Sequence, residues 1–240
     1  MKHLNKIFAI LLIVTIIAAA TPFVLLKTES DIIQVTQEIR LGEKNAKPQS
    51  PPGKPVPNSP DYKLSINKAK TDIPVTFTVY ASYDGLEVKF ITNAIASAAQ
   101  TWDDATSVNL LLDYNNPVVI GTGTAKVELN GENAVFFADY SDSNVIAMAS
   151  YWYSRVTKEI LECDILFNTD FQWGDASINP SIMDLQNIAT HEIGHFFNLA
   201  DIYDTSKNTL TMYGISWEGD IQKRDLEPGD IAGIKAVFGQ

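Results

Sequence analysis

The chain has 240 residues, 45% of them hydrophobic, so it can bury a sizeable core and is not wholly disordered. Its 18 basic and 29 acidic residues give a net charge of −11, which argues against a nucleic-acid-binding protein because such proteins carry a basic face. A single cysteine excludes an intrachain disulfide framework and any metal cluster built from several cysteines.

The amino terminus carries the pattern of an export segment. Residues 7–26 form an uncharged, mostly apolar run that lysines flank on both sides, with three alanines at positions 18–20. A basic start, an apolar stretch and small residues before a cleavage point are typical of a signal peptide. Because about 20 apolar residues also span a bilayer, residues 1–27 are predicted to be a cleaved signal peptide or a retained membrane anchor. The protein is therefore expected to be secreted, or anchored at the cell surface through residues 7–26.

Two further regions follow this segment. Residues 28–60 are interpreted as a Pro-rich linker or a short pro-segment, since residues 48–60 hold six of the eleven prolines. Residues 61–240 are predicted to form one folded domain.

The domain is predicted to begin with a strand and a helix. Residues 74–81 alternate in polarity, as a strand does, and apolar residues recur at helical spacing over residues 86–105 after a cap at Asp84. Further strands are predicted over residues 109–113, 134–138, 145–153 and 160–168.

Two helices are predicted towards the carboxyl end. The first begins at Pro180, with Ser181 and Asp184 at the spacing of a capping box, and ends near residue 197. The second begins at Pro228, with Asp230 near the positive end of its dipole. This order of elements predicts a single α/β or α+β domain in which helices cover a sheet.

The first of these two helices contains His191, Glu192 and His195 in an HExxH pattern. Histidines four residues apart lie one turn apart on the same helix face, so both imidazoles can bind one metal ion. Glu192 is placed to take a proton from a water molecule that the metal activates. A catalytic zinc site usually has three protein ligands, and the remaining histidine is His3 in the export segment. The third ligand is therefore expected to be a carboxylate, and Asp201 follows His195 by six residues.

The continuation of the motif resembles the extended HExxHxxGxxH signature of metzincins. Asn198 stands in place of the glycine, and Asp201 in place of the third histidine. Asparagine tolerates the positive φ that such a turn needs, and aspartate is a zinc ligand, so both departures are compatible with the site. Met212 lies 11 residues after Asp201 and resembles the Met-turn beneath the zinc. Met212 is thus expected to support the site structurally.

Other segments are similar to the matrixin branch of the metzincins. Residues 226–239 resemble its closing helix, and residues 145–149 and 163–173 resemble its edge strand and the next strand. In that family the edge strand pairs with an extended substrate. The resemblance therefore implies substrate contacts at Ile146, Ala147 and Met148, with Trp217 near an apolar specificity pocket.

The resemblance implies an α+β fold with a twisted, mostly parallel sheet, an antiparallel edge strand, three main helices and a Met-turn. It implies a zinc endopeptidase with one catalytic zinc on His191, His195 and Asp201 and with Glu192 as general base. Leu166 stands where animal matrixins place a structural-zinc histidine, so a second zinc is not expected. Calcium is a candidate second ion, with oxygen ligands from Asn168, Asp170 and residues 139–142. Cys163 lies in an apolar strand pattern and is expected in the core, so latency cannot depend on a pro-segment thiolate.

Two alternatives stay open at this point. A gluzincin-type peptidase would take its third ligand from a later glutamate, for which Glu218 is the candidate. An exported binding or adhesion module on an inactive metalloprotease scaffold would need no catalysis, although Glu192 is intact. The expected partners are protein or peptide substrates and no nucleic acid, with membrane contact only through an uncleaved amino terminus. The domain is expected to be a monomer.

Overall fold

The computed structural model describes residues 31–42 and 61–239. The predicted export segment and the proline-rich stretch lie outside these residues. Within the described part of the chain, every helix is too short or too polar to cross a bilayer.

A mixed sheet forms the centre of the molecule. Its strands are β1 (Ile32–Leu41), β2 (Lys70–Thr71), β3 (Phe77–Tyr80), β4 (Val118–Ile120), β5 (Ala134–Ala138), β6 (Val145–Ser154), β7 (Glu159–Asn168) and β10 (Ile215–Ser216). The order is β10-β1-β6-β7-β5-β3-β4, and β2 pairs with β7. β6 is antiparallel to both of its neighbours, while the other pairings are parallel. Two short strands, β8 (Trp173–Gly174) and β9 (Met183–Asp184), pair separately.

Three helices cover the sheet: α1 (Val88–Asp103), α2 (Leu185–Phe196) and α3 (Pro228–Phe238). The apolar face of α1, including Ile91, Ile95 and Trp102, is buried in one core with apolar residues of α2 and the sheet. Burying large aliphatic and aromatic side chains stabilises such a core by about 1.5–3 kcal/mol per side chain. The core therefore fixes α2 against α1 and the sheet, and α2 carries the HExxH motif.

The predicted α+β fold is confirmed, and α1, β5, β6, β7 and α3 lie close to their predicted positions. Cys163 is buried, as expected.

Several predicted element ends are wrong. Asp84 belongs to a turn with Gly85 (φ +84°), and Glu87 is the residue that precedes α1. Residues 109–113 form only a single bridge, from Leu111 to Val75, and the strand beside β3 is β4 instead.

The start of α2 is also later than predicted. Ser181 lies in a turn, and the cap is Asp184, whose side chain accepts the backbone N–H of Asn187 at 2.8 Å. This arrangement is a normal N-cap, because the side-chain oxygen satisfies a free N–H of the first turn.

β1 is a strand that the local sequence pattern does not predict. It comes from the segment interpreted as a linker or pro-segment, and it pairs with β6 along the edge that was expected to be free for substrate. β6 is therefore an inner strand of this sheet.

Candidate metal centre and active site

The amino-terminal end of α2 is held by an ionic cluster. The guanidinium of Arg224 binds the carboxylates of Asp184 and Asp175, and Asp184 is fully buried. The hydrogen bonds to Asp184, and to a smaller extent the one to Asp175, raise the pKa of Arg224 further above its usual range. Burial has the opposite effect on this pKa. On the neighbouring helix, the indole N–H of Trp102 donates to the carbonyl of Thr190 at 2.7 Å. The helix is thus fixed just before the motif begins.

His191 and His195 are buried and present their Nε2 atoms to each other at 3.1 Å. Each ring is oriented through its other nitrogen, since Nδ1 of His191 lies 2.7 Å from the carbonyl of Thr211, and Nδ1 of His195 lies 2.8 Å from that of Leu199. A carbonyl only accepts, so each Nδ1 carries the hydrogen, and in the neutral ring Nε2 then keeps its lone pair. Burial lowers the pKa of His195 to about 4, which keeps this ring neutral near pH 7. Neutral imidazoles with free Nε2 lone pairs are suited to binding a metal.

Asn198 makes the turn that leads from α2 to the next polar residue of the motif. Its φ is +69°, as the sequence predicted for this position. The side chain is also bonded: Oδ1 accepts the N–H of Ile66, and Nδ2 donates to the carbonyls of Ile66 and Ala69. Asparagine therefore makes the turn a glycine would make, and it also ties the turn to residues 66–69.

Asp201 lies beside the two imidazoles as a result of this turn. Its Oδ1 is 3.2 Å from Nε2 of His191 and 3.6 Å from Nε2 of His195. Oδ2 accepts the hydroxyl of Tyr203 at 3.2 Å, whereas Oδ1 has no hydrogen-bond partner and is buried. Among the described residues, His191, His195 and Asp201 form the one group of three or more side chains able to hold a metal ion.

The chemistry of this group fits zinc. Two imidazole lone pairs and one carboxylate oxygen converge with no hydrogen between them, and an unpaired buried acceptor is costly. A cation removes that cost, and nitrogen with carboxylate oxygen is a usual donor set for zinc with three protein ligands.

Met212 packs against the helix directly behind the two histidines. A side chain at Gly194 would collide with the sulfur of Met212 and with the ring of Trp102, so only glycine permits this packing. Gly214 is equally constrained, because a Cβ there would lie 2.7 Å from Oδ1 of Asp201. In the segment predicted as the Met-turn, Met212 therefore packs against the helix that carries the histidines, and Gly214 packs against Asp201.

Glu192 is fully buried, and neither of its carboxylate oxygens has a hydrogen-bond partner. Burial raises the pKa of Glu192 well above its usual value, and the charge of Asp201 raises it further. An unpartnered carboxylate beside a metal group is placed to exchange protons with a reacting molecule.

The other residues predicted from the sequence lie outside the group of three. Glu218 is exposed and is not part of the group of three. Ile146, Ala147 and Met148 are buried in β6, and Trp217 is partly buried, close to Gly42 at the end of β1. Asn168 uses its side chain for hydrogen bonds to Val145 and Asp170.

Sequence reasoning missed two supports of the site. The buried carboxylate of Asp230 binds the backbone of Thr211 and Met212, and Tyr203 binds Asp201. From the sequence, Asp230 is only a favourable charge at the start of α3. No local pattern could connect it with residues 18 and 19 positions earlier.

Fold and site together define a metallopeptidase scaffold of the metzincin type, with an HExxH helix, a turn to a third polar residue and a Met-turn. The family model described as Matrixin (Peptidase_M10) matches residues 67–239, so the chain belongs to the matrixin family of zinc-dependent metallopeptidases. The comparison with curated proteins gives no significant match. The resemblance noted from the motifs is thereby confirmed.

Proposed function

We propose that this protein is a zinc-dependent endopeptidase that hydrolyses peptide bonds in protein substrates. The observation that carries the proposal is that two buried carboxylates of the site have oxygens without a hydrogen-bond partner. Oδ1 of Asp201 converges with two imidazole nitrogens, and the Glu192 carboxylate is buried beside them with no partner. A buried acceptor without a partner costs free energy, so a bound cation and a reaction account for both groups.

In this proposal His191, His195 and Asp201 bind the zinc. When bound, zinc polarises a substrate carbonyl and lowers the pKa of a water molecule to about 7. Glu192 takes the proton of that water as it attacks, and then passes the proton to the nitrogen that leaves. A positive ion beside Glu192 favours its ionised form, which counteracts the effect of burial on its pKa.

The residues around the three proposed zinc ligands orient them. The carbonyls of Thr211 and Leu199 fix the ring planes of the two histidines, and Tyr203 fixes the carboxylate of Asp201. Such outer contacts commonly change metal affinity or activity by about 10–100-fold when they are removed.

We also propose that the protein acts outside the cell, as a monomer on protein or peptide substrates, with no nucleic-acid partner. The basis is the apolar, lysine-flanked run at residues 7–26 and the acidic composition. Whether this run is cleaved or retained as an anchor can be read from the mass of the mature amino terminus.

The test is casein cleavage by the full chain with zinc, with a chelator, and with Glu192→Gln. Glu218→Gln is the matched control, because it makes the same change at an exposed glutamate outside the site. We expect the chelator and Glu192→Gln to lower the cleavage rate by at least about a thousandfold, and Glu218→Gln to leave it unchanged. Equal cleavage in all samples would show that the site is not catalytic, and no cleavage in any sample would favour a binding module.

A further inference from the structure

β1 lies across the proposed active site, between two segments that would otherwise face a substrate. Over Ile32–Arg40 it pairs antiparallel with β6, and its carboxyl end pairs in parallel with β10. It also contacts α2, which carries the motif. An extended chain that adds to a sheet in this way is a recognised mode of peptide binding, because main-chain hydrogen bonds supply the affinity.

Backbone hydrogen bonds hold the carboxyl end of β1 from both sides. The N–H groups of Arg40 and Gly42 donate to the carbonyls of Gly214 and Ser216, at 3.1 and 2.9 Å. The N–H of Leu41 points the other way and donates to Asn144 at 2.8 Å. Hydrogen bonds therefore hold the strand on both sides beside the metal group, as they would hold an extended peptide in a cleft.

Ile39 is the central residue of this arrangement. It is the one fully buried side chain of β1, while its neighbours Glu38 and Arg40 are partly buried and exposed. Its backbone pairs with Ala147 of β6, and the N–H of the next residue, Arg40, donates to the carbonyl of Gly214, the glycine that packs against Oδ1 of Asp201. The Glu38–Ile39 peptide bond thus lies at the one fully buried residue of β1, directly before the strand's hydrogen bond to Gly214 beside the metal group.

Polar side chains fix the same register. The hydroxyl of Tyr140 donates to Glu38 at 2.7 Å, and Arg40 bonds to Glu38 at 2.6 Å and to Asp142 at 3.0 Å. Further along, Thr36 lies 2.8 Å from the hydroxyl of Ser150. A slip by one residue would break the contacts of β1 with Tyr140, Asp142 and Ser150 and expose Ile39, so one register is strongly favoured.

We propose that residues 32–41 occupy the substrate cleft of their own chain and present the Glu38–Ile39 peptide bond for self-cleavage. This inference rests on the proposed function. While the strand is intact, it excludes other substrates from β6 and keeps the enzyme latent. This form of latency uses no cysteine, in keeping with the buried position of Cys163.

The reaction is an ordinary hydrolysis. A water oxygen bonds to the carbonyl carbon of Glu38, and the bond from that carbon to the nitrogen of Ile39 breaks. Glu192 carries the proton from the water to this nitrogen. The products are a new carboxylate at Glu38 and a new amino terminus at Ile39, and no oxidant or reductant takes part.

The place of the strand can be tested without catalysis, by hydrogen exchange in the full chain carrying Glu192→Gln. We expect the amides of residues 39–42 to be protected, and to exchange at least about tenfold faster when Ile39→Asp is added. Ile33→Asp is the matched control, because it changes an isoleucine on the same face of β1 far from Glu192. Amides that exchange at the rate of a free peptide in the Glu192→Gln chain would overturn the proposal.

The cleavage is tested by adding zinc to the unaltered chain and measuring fragment masses over time. We expect a new amino terminus at Ile39, which Glu192→Gln abolishes, and casein cleavage that starts only as this terminus appears. Ile39→Asp should remove that delay. Immediate casein cleavage with residues 38 and 39 still joined would overturn the self-cleavage proposal and leave the proposed function standing. Protected β1 amides without any casein cleavage would support the placement of the strand and count against the proposed function.

Discussion

The carboxylate of Asp230 accepts the backbone N–H of Met212 at 3.1 Å and thereby ties the last helix to the turn beneath the metal group. Its other oxygen accepts the N–H of Thr211 at 2.9 Å, and the carbonyl of Thr211 in turn receives Nδ1–H of His191. The orientation of one proposed zinc ligand thus depends on Asp230 in α3, which lies 39 residues further along the chain.

Asp230→Asn should weaken zinc binding by about tenfold, since the amide can accept only one of these N–H groups well. Asp225→Asn is the matched control, because it makes the same change at an exposed aspartate five residues earlier. We expect it to leave the zinc affinity unchanged. Competition with a chromogenic zinc chelator measures the affinity. An unchanged affinity in Asp230→Asn would show that the Met-turn does not depend on this contact.

The tether at Asn198 can be separated from its turn geometry by two substitutions. Asn198→Gly keeps the positive φ but leaves the polar groups of Ile66 and Ala69 without their partner, which should destabilise the fold by about 2–4 kcal/mol. Asn198→Ala should cost about 1–2 kcal/mol more, because its Cβ is strained at this φ. Urea unfolding of the zinc-free protein gives both values. A glycine variant as stable as the unaltered protein would mean that the side-chain bonds contribute nothing.

A buried carboxylate that is not part of the metal group should make stability depend on pH. Asp164 accepts the backbone N–H groups of Glu128 and Ala134, and burial raises its pKa from 3.8 to about 7. The folded protein therefore holds this proton between pH 4 and 7, whereas the unfolded chain releases it. The free energy of unfolding should fall as pH rises through this window, by at most about 1.4 kcal/mol per pH unit from this residue. Burial also raises the pKa of the neighbouring Glu162, with the same sign of effect.

Asp164→Asn should remove this part of the pH dependence. Urea unfolding of the chelated protein at pH 5, 6 and 7 measures the slope, and the exposed Asp72→Asn is the control. Equal slopes in the two variants would contradict the assignment to Asp164.

Local patterns in the sequence were sufficient for the elements that bury a regular face. The helical repeat from Ile91 to Trp102 predicted α1, and the apolar runs of β5, β6 and β7 predicted the centre of the sheet. The metal group was likewise predictable, because four and six residues separate its members. The start of α2 was not, since two polar residues three positions apart, Ser181 and Asp184, each had the chemistry of a cap.

β1 could not be predicted for a different reason. Its side chains are mostly half-buried or exposed, with only Ile39 fully buried, so its sequence lacks the clear alternation of a core strand. Its stability depends on β6 and β10, more than 100 residues away in the chain. Such pairing depends on the packing of β1 against its folded neighbours, so the sequence of β1 alone gives little indication of it.

The central claim is that His191, His195 and Asp201 hold one zinc ion. The most direct measurement is the zinc content, by mass spectrometry of the metal, of the unaltered protein and of Asp201→Ala and Glu218→Ala after equal dialysis. We predict one zinc per chain in the unaltered protein and in Glu218→Ala, and almost none in Asp201→Ala. One zinc retained by Asp201→Ala and lost by Glu218→Ala would contradict this assignment.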